Sequence, residues 1–161
     1  GFWNTEDFPC RFAGGCAALG KVPALERQFR LLPVNIAAKL IVGMSFENST
    51  AGRDWNLIPP SALSLQECVL AAKDFGLDLE TLPFEAWKGI LLTECLKRPG
   101  NPLEPLLPLF PHSIDDVPSA PDFQPDGLLH AASRLEIDIP RIDSNTLGNY
   151  IRFLFPNTTQ N

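Results

Sequence analysis

The sequence has few residues of the kinds that form metal sites. It contains two histidines and four cysteines in 161 residues, and no cysteine pair has the C-x-x-C spacing. Neither histidine stands close to a cysteine, so the pattern does not match a zinc site. We therefore predict no metal ligands and interpret the cysteines as small buried apolar side chains of a protein in a reducing compartment. They are Cys10, Cys16, Cys68 and Cys95.

Motifs for nucleotide binding and hydride transfer are also missing. No Gly-x-Gly-x-x-Gly opens a helix after a strand pattern, and no Gly-Lys-Ser/Thr phosphate loop occurs. Gly14 and Gly15 lie inside a helical pattern, where small residues permit close helix contacts. The single tyrosine, Tyr150, is followed four residues later by Leu154, so a Tyr-x-x-x-Lys pair is absent. The sequence predicts no catalytic and no cofactor-binding residues.

Charge and hydropathy argue against two classes of partner. The net charge is −6 and the 13 basic residues are scattered, which predicts no nucleic-acid binding. No apolar run approaches the roughly 20 residues that span a bilayer, so no membrane association is predicted. No secretion signal is recognisable at the start, and we expect a cytoplasmic protein in which two Asn-x-Thr sequons occur by chance.

Hydrophobic periodicity predicts a mainly α-helical fold with six to seven helices and two or three short strands. Asp7 is the predicted N-cap of the first helix and Gly20 its end. One apolar stripe on that helix comprises Phe8, Phe12, Cys16 and Leu19. Asn35 is predicted to cap a second helix that reaches Met44 and is apolar on most sides, so we expect it to be buried.

The rest of the chain continues the helical pattern. A capping box at Ser64–Glu67 predicts a third helix, and further helices are expected after Pro83, after Asn101, from about Asp126 and from Ser144. Residues 29–34 are expected to form a short strand or an extended run into the core, and residues 77–81 a short strand. Such strands are too short for a self-contained sheet and would complete another sheet. We predict one subdomain over residues 1–161 with a Pro-rich loop at 111–125.

A series of short motifs, in this order and spacing, resembles one family. The motifs include Asn4-x-x-Asp7-Phe8, Gly15-Cys16-x-x-Leu19-Gly20, Leu31-Leu32-Pro33-Val34-Asn35, Trp55-Asn56-Leu57-Ile58-Pro59 and Asn101-Pro102-Leu103. The sequence resembles the C-terminal part of thioester reductase domains, which are extended short-chain dehydrogenases. Such domains end some nonribosomal peptide and polyketide synthetases, carboxylic acid reductases and α-aminoadipate reductase. The resemblance covers nearly the whole chain.

The resemblance implies a division of labour between two halves of a reductase. The N-terminal Rossmann half, which this chain lacks, would bind NADPH and reduce a phosphopantetheine-linked acyl or peptidyl thioester to an aldehyde or alcohol. The present chain would be the substrate-binding C-terminal subdomain, inert on its own, and would face the carrier protein. Two alternatives stay open: a non-catalytic module that docks the carrier protein, and the matching part of a redox-inactive release domain that cyclises its product.

The resemblance also implies a set of substrate-binding residues. They are Phe2, Trp3, Asn4, Phe12, Cys16, Val34 and Asn35. The family usually has Val-Asp-Tyr where this chain has Val34-Asn35-Ile36. Asparagine keeps a helix-capping oxygen but loses the charge, so an electrostatic role of that aspartate is not carried over to Asn35.

Overall fold

A computed structural model describes residues 4–26, 28–113 and 124–155. Within them lie six α-helices, two 3-10 helices and four short strands, which confirms the predicted mainly helical class. The α-helices are α1 (Phe8–Leu19), α2 (Val34–Ser45), α3 (Leu65–Asp74), α4 (Phe84–Lys97), α5 (Asp126–Arg134) and α6 (Ser144–Leu154). The strands are β1 (Lys21–Pro23), β2 (Gln28–Phe29), β3 (Leu63–Ser64) and β4 (Glu80–Leu82), and the 3-10 helices are Asn48–Thr50 and Glu104–Leu109.

The contacts between residues divide the chain into two compact units. Unit 1 comprises Gly1–Glu26, Leu65–Ser119 and Ser144–Asn161, and unit 2 comprises Arg27–Ser64 and Ala120–Asp143. Each unit has buried residues of its own. The prediction of one subdomain over residues 1–161 stays a prediction, and most of the predicted 111–125 loop lies outside the described residues.

The ends of α1 are set by local sequence, as predicted. The Asp7 carboxylate accepts a hydrogen bond from the Cys10 amide at 2.9 Å, which satisfies an amide that has no partner inside the helix. Gly20 ends the helix in the left-handed conformation, with φ of 63°, which glycine adopts without a Cβ clash. The buried face of the helix contains Phe12 and Cys16, whereas Phe8 is 44% exposed.

The core of unit 1 surrounds Trp87 of α4, which is fully buried. Its ring lies 6.2 Å from Phe12, 6.0 Å from Phe84 and 5.3 Å from Phe110, the last in an edge-on arrangement. The indole Nε1 donates a hydrogen bond to the Lys21 carbonyl at 3.3 Å. One side chain therefore joins α1, α4, β1 and the residue that follows the second 3-10 helix.

The strands form two separate pairs within the described residues. β1 pairs with β4 in parallel, with Val22 opposite Thr81, and β2 pairs with β3 antiparallel. The predicted strand at 77–81 therefore begins later, at Glu80. Of residues 29–34, predicted as a short strand or an extended run, Phe29 belongs to β2 and Val34 begins α2. Pro33 between them has no N–H to give to a strand ladder.

Glycine permits the close approach of α3 and α6 in unit 1. A Cβ at Gly148 of α6 would lie 2.0 Å from Cζ of Phe75, which follows α3. The Arg152 guanidinium carbon sits 4.7 Å from the centre of the same ring, a cation–π distance. Gly148 and Arg152 thus both pack against the ring of Phe75.

Unit 2 has its core between α2 and α5. The fully or nearly fully buried residues of this core are Leu40, Met44, Leu128, Ala131 and Ala132. Gly43 of α2 lies against Leu135, where a Cβ would come within 2.8 Å of Cδ1. The Arg134 side chain contacts Glu47 at 2.6 Å and Ser49 at 2.7 Å on the surface of the same unit.

Two predictions for α2 were wrong. The helix begins at Val34 with Pro33 as its N-cap and no side-chain cap, so Asn35 lies inside the first turn. Pro33 occupies the N-cap position instead of Asn35. Its backbone is extended, and its carbonyl accepts a hydrogen bond from the Ala37 amide at 3.0 Å. The helix is also not buried on most sides.

Four large apolar residues on and after α2 are exposed within unit 2. The exposed fractions are 80% for Val34, 57% for Ile41, 56% for Val42 and 83% for Phe46, and we call these residues the α2 apolar face. α2 buries the side that packs against α5. Because the helix is apolar on most sides, some of its apolar residues remain exposed on the other side. None of the described helices has the length and apolar content to cross a bilayer.

Candidate functional site

Three predicted substrate-binding residues are described in unit 1. Asn4 is exposed, and its side-chain oxygen accepts from the Glu6 amide at 3.1 Å. Phe12 and Cys16 lie one turn apart on α1 and are 8% and 2% exposed. Phe2 and Trp3 lie outside the described residues.

The two other predicted residues belong to unit 2. Val34 and Asn35 are neighbours in the first turn of α2, and both are exposed. The structure thus brings Phe12 together with Cys16, and Val34 together with Asn35. Whether all seven residues share one pocket stays a prediction.

The cysteines of the chain are poor nucleophiles. Burial raises the pKa of the Cys16 thiol from 9.0 to about 12. Burial, with a smaller contribution from the Glu67 carboxylate, raises the pKa of Cys68 to about 11. The thiolate is the reactive form of cysteine. The buried environment of Cys16 therefore favours a role in packing or ligand binding over covalent catalysis.

We predict slow alkylation of Cys16 in the folded chain. With a pKa of about 12, the thiolate fraction at pH 8 is on the order of 10⁻⁴ and rises tenfold with each pH unit below the pKa. Iodoacetamide labelling followed by peptide mass spectrometry measures the rate of alkylation. The Cys16→Ser variant shows which labelled peptide contains Cys16. Chain unfolded in guanidinium is the control and should react at the rate of free cysteine. Equal rates in folded and unfolded chain would contradict this prediction.

The glycine pair in α1 does not form a nucleotide cradle. A Cβ at Gly15 would lie 2.3 Å from Cγ of Leu103 and 2.7 Å from the Asn101 side-chain oxygen. The space beside this glycine is therefore occupied by the side chains of Leu103 and Asn101. A dinucleotide cradle needs a glycine-rich turn that leads from a strand into a helix, whereas Gly20 leads from α1 into β1. These glycines therefore do not form a dinucleotide cradle. Among the described residues, no group of three or more His, Cys, Asp or Glu is placed to hold a metal ion.

A cavity of about 480 Å³ lies within unit 1, and we call it the β1–α3 cavity. Its lining comes from β1 and the residues after it, the first turns of α3, and the middle of β4. The lining residues are Val22, Pro23, Ala24, Leu25, Glu26, Leu65, Gln66, Val69 and Thr81. The volume falls within the roughly 300–1,000 Å³ of small-molecule sites.

Sequence reasoning missed this cavity. None of the five predicted substrate-binding residues that the structure describes belongs to its lining. The cavity depends on the parallel pairing of β1 with β4, in which Lys21 and Glu80 form an ion pair across 59 residues of sequence. The local signal that could have pointed to it is the Ser64–Glu67 pattern that predicts the start of α3, because the first turn of this helix supplies Leu65 and Gln66 to the lining.

The chemistry of the β1–α3 cavity suits binding rather than catalysis. Most of its lining residues are apolar, and its polar side chains are those of Glu26, Gln66 and Thr81. Among the described residues, its lining contains no lysine, arginine, histidine or cysteine. Glu26 is the one ionisable side chain of this described lining, and it is exposed at the surface.

Comparison with known proteins relates the chain to reductases, although no protein-family model matches it. The large subunit of L-2-aminoadipate reductase from Eremothecium gossypii is 31% identical over 163 residues, which is 94% of this chain and 11% of that protein. The chain thus spans about a tenth of the length of this curated relative.

Two solved structures share the fold. The terminal R domain from the myxalamid PKS-NRPS biosynthetic pathway superposes with a TM-score of 0.83 at 24% identity, over 98% of this chain and 40% of that one. A thiolation-reductase di-domain from an archaeal non-ribosomal peptide synthetase gives a TM-score of 0.71 at 18% identity, over 91% of this chain and 30% of that one. By sequence and by fold, the chain corresponds to the C-terminal portion of a thioester reductase domain.

Proposed function

We propose that the chain is the substrate-binding and carrier-protein-facing subdomain of an NADPH-dependent thioester reductase. Such an enzyme would release a carrier-bound acyl or peptidyl thioester as an aldehyde or alcohol. The observation that carries this proposal is the similarity to an L-2-aminoadipate reductase across 94% of the chain. The chain would contribute a binding surface, and the reacting groups would come from elsewhere in the polypeptide.

The lack of a nucleotide cradle among the glycines of α1 supports the proposal that this chain binds substrate and another part of the polypeptide binds NADPH. Since the glycines of α1 form no dinucleotide cradle, we propose that NADPH would be held by an N-terminal Rossmann half outside this chain. When bound there, NADPH would supply the hydride for reduction. The chain's own part would be to hold the acyl or peptidyl group in the site and to keep water away with apolar side chains such as Phe12.

The α2 apolar face supports contact with another part of a larger polypeptide. Large apolar side chains that cluster on a surface commonly mark an interaction site. The solved R domain has more than half of its chain outside the matched region, since this chain covers 40% of it. We propose that the Rossmann half covers the face formed by Val34, Ile41, Val42 and Phe46.

The function is tested with the reductase polypeptide that carries this chain. We expect NADPH-dependent formation of aldehyde or alcohol from an acyl thioester on a phosphopantetheinylated carrier protein, followed by NADPH absorbance and product mass spectrometry. Deletion of residues 1–161 should abolish product, and the isolated chain should neither bind nor oxidise NADPH. Micromolar NADPH binding by the isolated chain in calorimetry would contradict the proposal.

The two alternatives give different results in the same assays. A cyclising release domain would consume the thioester without oxidising NADPH. A docking module would bind the carrier protein without turnover in any polypeptide that contains it. NMR titration of the ¹⁵N-labelled chain with the carrier protein measures docking, and unchanged amide shifts would count against a carrier-facing role.

A further inference from the structure

We propose that residues 71–91 and 131–151 are two copies of one helix–link–helix unit, and that the second copy has a strained turn. We call them copy 1 and copy 2. Copy 1 contains the end of α3 and the first part of α4, and copy 2 contains the end of α5 and most of α6. Copy 1 lies in unit 1, whereas copy 2 contributes α5 to unit 2 and α6 to unit 1. The proposal is independent of the reductase function, since only the backbone, burial and hydrogen bonds of the chain support it.

The helix boundaries of the two copies coincide. The first helix ends at Asp74 in copy 1 and at Arg134 in copy 2. The second helix begins at Phe84 and at Ser144, so equivalent residues are 60 positions apart at both boundaries. The link between the helices therefore has the same length in both copies, without insertion or deletion.

The pattern of burial repeats with the same offset. Each copy begins with two adjacent buried alanines. Over residues 71–80 and 131–140, all ten equivalent positions are alike in being buried, partly buried or exposed. Three equivalent positions are identical in sequence, so the repeat lies mainly in the spacing of apolar residues. In the second helix, two equivalent pairs are buried in both copies: Trp87 with Leu147, and Leu91 with Ile151.

Both copies end their first helix with the same turn. In copy 1 the Leu77 amide donates to the Ala72 carbonyl at 3.0 Å, and the equivalent bond from the Ile137 amide in copy 2 measures 2.9 Å. The residue before each donor has a positive φ, which is 84° at Gly76 and 53° at Glu136. A bond of this span beside a left-handed residue is the Schellman motif of helix ends.

The turn of copy 2 is strained because Glu136 adopts a conformation that favours glycine. Among the residues that the structure describes, it is the one non-glycine residue with a positive φ. A Cβ in the left-handed region comes too close to the following carbonyl oxygen, whereas glycine has no Cβ. Copy 1 avoids this cost with Gly76. We therefore expect Glu136 to lower the stability of the last turn of α5.

In each copy, the residue before the positive φ packs against a glycine of another helix. A Cβ at Gly148 would lie 2.0 Å from Cζ of Phe75 within unit 1. A Cβ at Gly43 would lie 2.8 Å from Cδ1 of Leu135 within unit 2. Strained backbone persists where the surrounding structure fixes it. The contact between Leu135 and Gly43 is such a constraint on the turn at Glu136.

Hydrogen exchange of the ¹⁵N-labelled chain, followed by NMR, tests the strain and the equivalence of the turns. Glu136→Gly should raise the protection factor of the Ile137 amide about tenfold and leave that of the Leu77 amide unchanged. Gly76→Glu should do the reverse, lowering the Leu77 protection factor about tenfold without changing that of Ile137. Both substituted positions are exposed, so a glutamate side chain can extend into solvent. Ser133→Gly is the control, because glycine at this exposed helical position should lower the Ile137 protection factor.

Each part of the proposal can fail separately. An unchanged Ile137 protection factor in Glu136→Gly would overturn the strain in copy 2. An unchanged Leu77 protection factor in Gly76→Glu would overturn the equivalence of the two turns. Circular dichroism checks folding. If Gly76→Glu does not fold, Gly76→Ala carries the test, because it meets the same backbone clash with a single added carbon.

The glycine contacts have their own test. Gly148→Ala should lower the protection factor of the Leu77 amide severalfold, and Gly43→Ala that of the Ile137 amide, because each added Cβ displaces the side chain that precedes the turn. Gly89→Ala is the matched control, since no heavy atom lies within 4 Å of its added Cβ. Protection factors that stay at the Gly89→Ala values in both variants would show that these contacts are no part of the repeat.

Discussion

Replacement of Trp87 by alanine is expected to lower the free energy of unfolding by about 3–5 kcal/mol, the usual loss for a large buried aromatic residue. Trp87 is fully buried and contacts the rings of Phe12, Phe84 and Phe110. The substitution leaves a cavity between these rings. It also leaves the partly buried Lys21 carbonyl without its indole donor, which adds a cost for the lost hydrogen bond.

Urea unfolding followed by circular dichroism measures this loss. Leu96→Ala is the matched control, because Leu96 lies on the same helix and is 87% exposed, so its replacement should change stability by no more than about 0.5 kcal/mol. Trp87→Phe keeps most of the apolar volume, so its loss of unfolding free energy should lie between those of Trp87→Ala and Leu96→Ala. If Trp87→Ala and Leu96→Ala were equally stable, the unit 1 core could not be centred on this side chain.

Features that depend on a few neighbouring residues were predictable from the sequence. Asp7 and Gly20 were identified as the ends of α1 because a capping carboxylate and a left-handed glycine act within one turn of the helix. The helical class was equally accessible, since the apolar spacing around Phe84, Trp87 and Leu91 repeats at helical period and all three residues are buried.

The burial of α2 was not predictable in the same way. Its composition is apolar around most of the helix, and composition alone does not say which sides have partners within the chain. In the structure, Leu40 and Met44 meet α5, whereas Ile41 and Val42 remain exposed. The cap was missed because Pro33 competes with Asn35 for the start of the helix, and the backbone preference of proline places the boundary two residues earlier.

The β1–α3 cavity was out of reach for a different reason. It requires β1 to find β4 in parallel, and no local pattern encodes a pairing across 59 residues. The substrate-binding set came from the family resemblance and falls on α1 and α2, whereas the cavity falls on β1, α3 and β4. The resemblance identified the kind of domain to which the chain corresponds, and the structure adds a cavity that the motifs do not mark.

Replacement of Phe12 by alanine is also expected to cost about 3–5 kcal/mol of stability. Phe12 is 8% exposed, stacks on Phe8 at 5.8 Å and lies 6.2 Å from Trp87. Because Phe12 and Trp87 are in contact, the loss in the double variant should be smaller than the sum of the single losses. Phe12→Ala therefore cannot test a role in acyl selectivity without also disturbing the core.

A conservative substitution separates the two roles of Phe12. Phe12→Leu keeps an apolar side chain and should cost less than about 1.5 kcal/mol. If Phe12 also contacts the acyl group in the complete reductase, the ratio of kcat/KM values for a long and a short acyl thioester should change by about tenfold or more, the usual effect of altered apolar volume in a pocket. Phe8→Leu is the control, being an aromatic residue on the same helix that is 44% exposed. Phe12→Leu reductase that folds normally and keeps the parental ratio would remove Phe12 from the substrate site and leave it a residue of the core alone.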